Sequence, residues 1–296
     1  MFNTLKVGIL LVVMTALIVL VGRAIGGPGG MAVALGLALL MNFGSYWFSD
    51  KIVLKMTGAQ PVGPQEAPEL YQMTQDLARL ANLPMPALYI INDPQPNAFA
   101  TGRSPKHAAV AVNTGLLNIL DRREVAGVVA HELAHIKHRD TLTMTIVATL
   151  AGAFMTLVQI AQFSAIFGFG GNNDEEGGGL NPIALMAMII VGPIAAMLVQ
   201  MAVSRAREYE ADRLAAQLTG SPDGLINALL KLERGASAIP THSMSPQNAH
   251  MCIVNPLRGI GGLTALFSTH PPIEKRVASL EALRGSIRPQ SASPWA

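Results

Sequence analysis

The sequence predicts a mainly α membrane protein: four transmembrane helices and a split α+β domain with a small β-sheet. Three observations carry that expectation. Half of the 296 residues are hydrophobic and only 14% are charged, against about 25% in an ordinary soluble domain; the mean hydropathy is +0.38. Four long stretches contain no Asp, Glu, Lys or Arg: Val7 to Gly22, Ala24 to Ser49, Thr141 to Asn173 and Gly177 to Ser204. The remaining pieces, 51–140 and 205–296, hold 90 and 92 residues and together make one domain of ordinary size.

A spanning helix needs about 20 mainly apolar residues. The third and fourth stretches exceed that length and form a second hairpin over 141–204. The first two are shorter. Gly26-Gly27-Pro28-Gly29-Gly30 makes a turn, and the apolar run after it, Met31 to Phe48, is 18 residues long, so 1–50 reads as a short transmembrane hairpin. Ala24-Ile25-Gly26 loosely resembles a leader-cleavage site, but the second apolar run follows at once and favours a retained hairpin. Lys and Arg set orientation. They flank the spans at Lys51, Lys55, Arg122, Arg123, Lys137, Arg139, Arg205 and Arg207, whereas the loop Gly170 to Leu180 carries only Asp174, Glu175 and Glu176. Both halves of the split domain, and both termini, are therefore expected on the cytoplasmic side. Gln159, Gln162 and Gln200 inside the spans read as helix-to-helix hydrogen bonds. The lone Cys252 allows no internal disulfide, and a net charge of +2 gives no argument for nucleic-acid binding.

In the first half, Ala87 to Ile91 and Ala108 to Val112 read as short buried strands; the second is a candidate edge strand for an extended peptide, or else an interior one. Asp121-Arg122-Arg123-Glu124 is a capping box. The helix it starts has an apolar face of Val125, Val128, Val129, Leu133 and Ile136. In the second half, Ser221-Pro222 opens a helix with Ile226, Leu229 and Leu230 inward. His270-Pro271-Pro272 opens the last helix, with Ile273, Val277, Leu280 and Leu283 inward. Gly235 to Gly262 lacks periodicity and suits a mobile lid.

On the capped helix stands His131-Glu132-Leu133-Ala134-His135. Residues four apart share a helix face, so two imidazoles can converge on one Zn²⁺ while Glu132, about 100° round the helix, takes a proton from the attacking water. An ordinary amphipathic helix can carry the same letters, so the motif needs company. A catalytic zinc also needs a third protein ligand and an open position. Beyond the fourth stretch, Glu208 and Asp212 again lie four apart. Alone they are as readily a solvated acidic face. Beside the histidines, Glu208 can be the third ligand, and Asp212 can accept from the outer ring nitrogen of a ligand histidine, His131 being the candidate. His138 is not expected as a ligand, because the longer metzincin pattern is absent.

These residues, with Asn97-Ala98-Phe99-Ala100-Thr101-Gly102 and Ser268-Thr269-His270-Pro271-Pro272-Ile273-Glu274-Lys275-Arg276, resemble the HtpX family of integral-membrane zinc metallopeptidases, to which the CAAX prenyl proteases are more distantly related. The four motifs stand in the family's order along nearly the whole chain. The resemblance implies a gluzincin-like domain with one Zn²⁺ per chain on His131, His135 and Glu208, and with Glu132 as general base. It also implies a bacterial inner-membrane protease of stress-linked quality control, acting on membrane or misfolded polypeptides.

His270 is the candidate for stabilising the tetrahedral oxyanion, with an N-cap role as its alternative. Asn97, before a glycine-containing turn, is the weaker candidate for contacting substrate. Two other functions remain at this point: a non-proteolytic scaffold or chaperone with a structural zinc, which has no use for Glu132, and a prenyl-protein processing peptidase, for which four spans leave little room. His135 lies six residues before the third stretch, roughly 9 Å along a continuous helix, so the metal site is expected close to the bilayer.

Overall fold

The structure is a computed structural model that describes residues 2–142, 205–238 and 271–287. Helix α1 (Phe2–Met56) contains Pro28, and Gly27 has a left-handed φ of 58°. The helical chain folds back on itself there. Ile18, Ala34 and Ala38 form one buried cluster, and a Cβ on Gly22 would meet the Ala34 Cβ at 2.2 Å. A straight helix would separate residues 18 and 34 by about 24 Å. Among the described residues no helix is long and apolar enough to cross a membrane; the fold-back leaves the arms apolar runs of 16 and 18 residues, Val7 to Gly22 and Met31 to Phe48. The third and fourth expected spans lie outside the described residues.

Next come β1 (Gln60–Val62), α2 (Pro68–Leu80), β2 (Ala87–Ile91), β3 (Ala98–Ser104), β4 (His107–Asn113), α3 (Thr114–Ile119) and α4 (Arg122–His138). The second piece adds α5 (Arg205–Thr219), α6 (Asp223–Ala238) and α7 (Ile273–Glu281). The strands form one mixed sheet in the order β1-β2-β4-β3, with β2 and β4 parallel and the other pairs antiparallel.

Strand β4 is therefore interior, and the expectation that it forms the edge is corrected. The edge beside it is β3, which pairs with β4 through Ala98↔Val112 to Ser104↔His107. The stretch after Asn97 is thus a strand rather than a turn. Its glycine, Gly102, sits at a register shift with φ 130°, where a Cβ would come within 2.1 Å of the His107 carbonyl oxygen.

Strand alternation divides the sheet into two faces. Phe99, Ala109, Ala111 and Ile91 pack against Val53 and Leu54 at the end of α1. Leu88, Ala98, Ala100, Val110 and Val112 face the main core with α2 and α4. Helix α4 is central: every residue from Glu124 to Ile136 is buried. The expected capping box is present, with Asp121 accepting from the N–H groups of Arg123 and Glu124 and Glu124 accepting from Asp121. Helix α6 crosses α4 backbone to backbone. A Cβ on Gly127 would lie 2.7 Å from the Leu225 nitrogen, and one on Gly224 2.6 Å from the Arg123 oxygen.

The helix carrying the two histidines does not run on toward residue 141. Arg139 is left-handed (φ 59°, ψ 34°) and ends α4 at His138, so a continuous helix from His135 into the third uncharged stretch is ruled out. The turn is fastened to the sheet by Thr141, whose hydroxyl donates to the Gly102 carbonyl at 3.0 Å.

Candidate active site

Helix periodicity places His131 and His135 on one face of α4, and α5 brings Glu208 against them. All three are buried, and their ligand atoms lie within 4.8 Å of one another. The separations are 3.2 Å between the two Nε2 atoms, 3.6 Å from His131 Nε2 to Glu208 Oε2, and 3.4 Å from His135 Nε2 to Glu208 Oε1. Ligands 2.0–2.1 Å from a tetrahedral centre stand about 3.3–3.4 Å apart. The triangle therefore fits one small divalent metal, and two neutral imidazoles with a carboxylate suit it chemically.

Glu132, 5% exposed, accepts a hydrogen bond from the backbone N–H of Ala100 on β3. Burial pushes its carboxyl above the ordinary value, and Glu208 adds to the push against the opposing pull of His131 and His135. Such a carboxyl is a better proton acceptor than a solvated one.

Behind each histidine stands an aspartate. Asp212 Oδ1 lies 3.0 Å from His131 Nδ1. Asp212 in turn accepts from Arg276 on α7, from Nε at 2.9 Å and from Nη2 at 2.6 Å. Arg276 is fully buried, and its Nη1 is 3.7 Å from Glu208. Burial opposes the charge on Asp212, and the Arg276 guanidinium overcomes it and holds the carboxyl below its usual value. Asp140 Oδ2 lies 3.4 Å from His135 Nδ1, and Asp140 Oδ1 accepts from Arg207 Nη1 at 2.6 Å. Burial disfavours a charged His135, but the carboxylates of Asp140, Glu208 and Glu132 outweigh it and raise the metal-free imidazole to about 9.

Sequence reasoning assigned no part to Arg276 or Asp140. One signal for Arg276 was available: it stands at i+3 between Ile273 and Leu280, on the inward face of its helix, where a hydrophobe is expected. Asn97 is buried at the entry to β3, three residues before Ala100, with its carbonyl accepting from the Asn113 N–H at 2.9 Å. His138 is half-buried in the last turn of α4. The last helix has Pro272 at its N-cap; His270 itself lies outside the described residues.

A buried His-Glu-x-x-His helix, completed by a glutamate from a second helix, defines a metallopeptidase. Comparison with known proteins gives the group. The profile of Peptidase family M48 matches residues 64–284, and the chain belongs to that family. A "Protease HtpX homolog" from Burkholderia thailandensis is 55% identical over 282 residues, covering 95% of this chain and 96% of that protein. The same name and the same identity and coverage recur in Burkholderia mallei and Burkholderia pseudomallei. The resemblance read from the four motifs thus holds along almost the whole chain. Among solved structures, the crystal structure of S. mikatae Ste24p matches with a TM-score of 0.50 and 19% identity over 83% of this chain. This chain spans 57% of that one, and the likeness concerns the fold alone.

Proposed function

We propose that this metallopeptidase is a zinc endopeptidase seated in a membrane, cutting membrane or unfolded polypeptides. The observation that carries the reading is the triangle of ligand atoms on His131, His135 and Glu208, with the buried Glu132 beside it. A bound zinc would supply a Lewis acid for the scissile carbonyl. The protein's own groups do the rest. Glu132 accepts the proton of the attacking water and returns it to the leaving amine. Asp212 holds the His131 ring through Nδ1. Buried walls around all three ligands keep bulk water from competing. A carboxylate poised beside the ligands favours catalysis over a purely structural metal.

Strand β3 holds Glu132 through the Ala100 N–H, and Asn97 at its entry is our candidate for a substrate contact. His270 is kept as the candidate donor to the oxyanion. Membrane seating is supported by α1, which exposes Val33, Leu39, Leu40, Phe43 and Phe48; apolar surface on that scale calls for a lipid or protein cover. The uncharged stretches within 141–204 supply the other two spans. The flanking Lys and Arg residues support a cytoplasmic position for the site and both termini, and the relatives are bacterial, which suits the inner membrane.

The test uses the full chain purified in mild detergent, alongside Glu132→Gln. Both should bind one zinc per chain by elemental analysis. The variant should lose roughly 10²–10⁴-fold in cleavage of an unfolded substrate such as casein. Equal cleavage by the two zinc-loaded proteins would defeat the reading.

A further inference from the structure

We propose that Asp140, clamped by Arg207, is a positioning residue for His135, and that the left-handed turn at Arg139 exists to put it there. The inference rests on the reading of His135 as a metal ligand.

The geometry is unusual for its sequence spacing. In an unbroken helix residue 140 would lie about 140° round the axis from residue 135, since five residues turn about 500°, and its carboxylate could not reach the outer face of the His135 ring. Arg139 at φ 59° breaks the helix. A non-glycine residue there costs energy, of order 1 kcal/mol or more, and the cost has a visible return. The turn brings Asp140 Oδ2 to 3.4 Å from His135 Nδ1, at 1% exposure. Nδ1–H then donates to the carboxylate, leaving the Nε2 lone pair aimed at Glu208 and the His131 Nε2.

Two further contacts hold the turn in place. Arg207 Nη1 donates to the other carboxylate oxygen at 2.6 Å. Arg207 immediately precedes Glu208 on α5, so the same ion pair fixes the start of the helix that supplies the third ligand. The Thr141 hydroxyl donates to the Gly102 carbonyl of β3, the strand whose Ala100 N–H holds Glu132. Residues 139–141 thereby tie together His135, the Glu208 helix and the Glu132 strand. The result parallels the other ligand, where Asp212 and Arg276 back His131. Each imidazole is held by an aspartate, and each aspartate by an arginine from the second piece of the chain. The arginines neutralise the aspartates, so the rings are oriented without adding net negative charge behind the metal.

The experiment measures zinc affinity by competition with a chromophoric chelator, and the visible spectrum of the cobalt-loaded protein. It uses the full chain in detergent as wild type, Asp140→Ala, Asp140→Asn and Arg207→Met. Wild type must bind one metal; if it binds none, the metal-site reading itself falls, and this inference with it. Given that binding, Asp140→Ala should weaken zinc 10- to 100-fold and change the cobalt spectrum. Asp140→Asn keeps an acceptor for Nδ1–H and should recover most of that loss. Arg207→Met should weaken zinc by at least about fivefold. A merely structural ion pair predicts the reverse pattern: both Asp140 variants melt earlier without metal, yet bind zinc within about threefold of wild type with an unchanged cobalt spectrum. That result overturns the inference. If Asp140→Ala does not fold, Arg207→Met decides, and unchanged affinity in it is equally fatal.

Discussion

Removing Arg276 tests whether Asp212, which joins the second piece of the chain to His131 in the first, depends on a buried guanidinium to hold its charge. Arg276→Met keeps the volume and deletes the guanidinium. Two charge-assisted hydrogen bonds are lost, at 2.9 and 2.6 Å, each contributing about 1.5–3 kcal/mol. The larger issue is what stays behind. Asp212 is 1% exposed, and breaking a buried pair from one side costs roughly 3–5 kcal/mol. Asp212 keeps His131 as a second partner at 3.0 Å, which places the expected loss near the lower end, about 3 kcal/mol. Adding Asp212→Leu removes the stranded charge. Since well-packed apolar replacements of buried pairs are often neutral, the double variant should return to within about 1 kcal/mol of wild type. It should still bind zinc 10- to 100-fold more weakly, because His131 has lost its orienting partner. The assay is urea unfolding followed by far-UV circular dichroism, with chelator in every sample so that metal contributes nothing. The reasoning is refuted if Arg276→Met lies within about 0.5 kcal/mol of wild type, or if the double variant is no more stable than the single one.

Two further outcomes are expected. His135 in the metal-free chain is raised to about 9, so its contribution to stability is complete below its unfolded value of about 6.5 and is lost as pH rises through 9. Zinc takes the neutral ring, so the gain in melting temperature on adding zinc should widen from about pH 6.5 to about pH 8.5, and a gain that shrinks over that window contradicts the assignment. Gly127→Ala should cost about 1–2 kcal/mol net in the same urea assay. The helix-propensity gain of about 1 kcal/mol is outweighed by a Cβ placed 2.7 Å from the Leu225 backbone, and a stabilised variant would mean that α4 and α6 can move apart freely.

The legible parts of this protein were those written in local spacing. Asp121 and Glu124 announce the start of α4 because a capping box is three residues wide. His131 and His135, and then Glu208 and Asp212, announce shared faces because helices repeat nearly every four residues. Strands β2 and β4 are runs of apolar residues that any burial argument finds. Strand β3 is not such a run. Ala98 to Ser104 mixes Ala98, Phe99 and Ala100 with Thr101, Gly102, Arg103 and Ser104, and its first five residues are buried by what packs on them: Val53 and Leu54 on one face, α4 on the other. Without it, β4 passed for a candidate edge. Asp140 stayed hidden because its place depends on a left-handed Arg139. Asn or Gly advertises such a turn and Arg does not. The fold-back at Gly27 was readable from its glycines and proline.

The site's position in the chain has an energetic consequence. His131, Glu132 and His135 belong to the first piece, while Glu208, Asp212 and Arg276 belong to the second, with about 70 residues between His135 and Glu208. Bringing the two pieces together costs chain entropy. Part of the opposing free energy is apolar: Ala215, Ala216, Leu225, Leu229 and Leu232 pack with Val125, Val128 and Val129 in one core. The rest sits at the site itself, in the Asp212–His131 contact, the Arg207–Asp140 pair and any bound metal. A metal that binds only the closed arrangement adds its binding free energy to closure. Metal uptake and domain closure are then one equilibrium, and a chain that has failed to bring its halves together has no assembled centre with which to cut its neighbours.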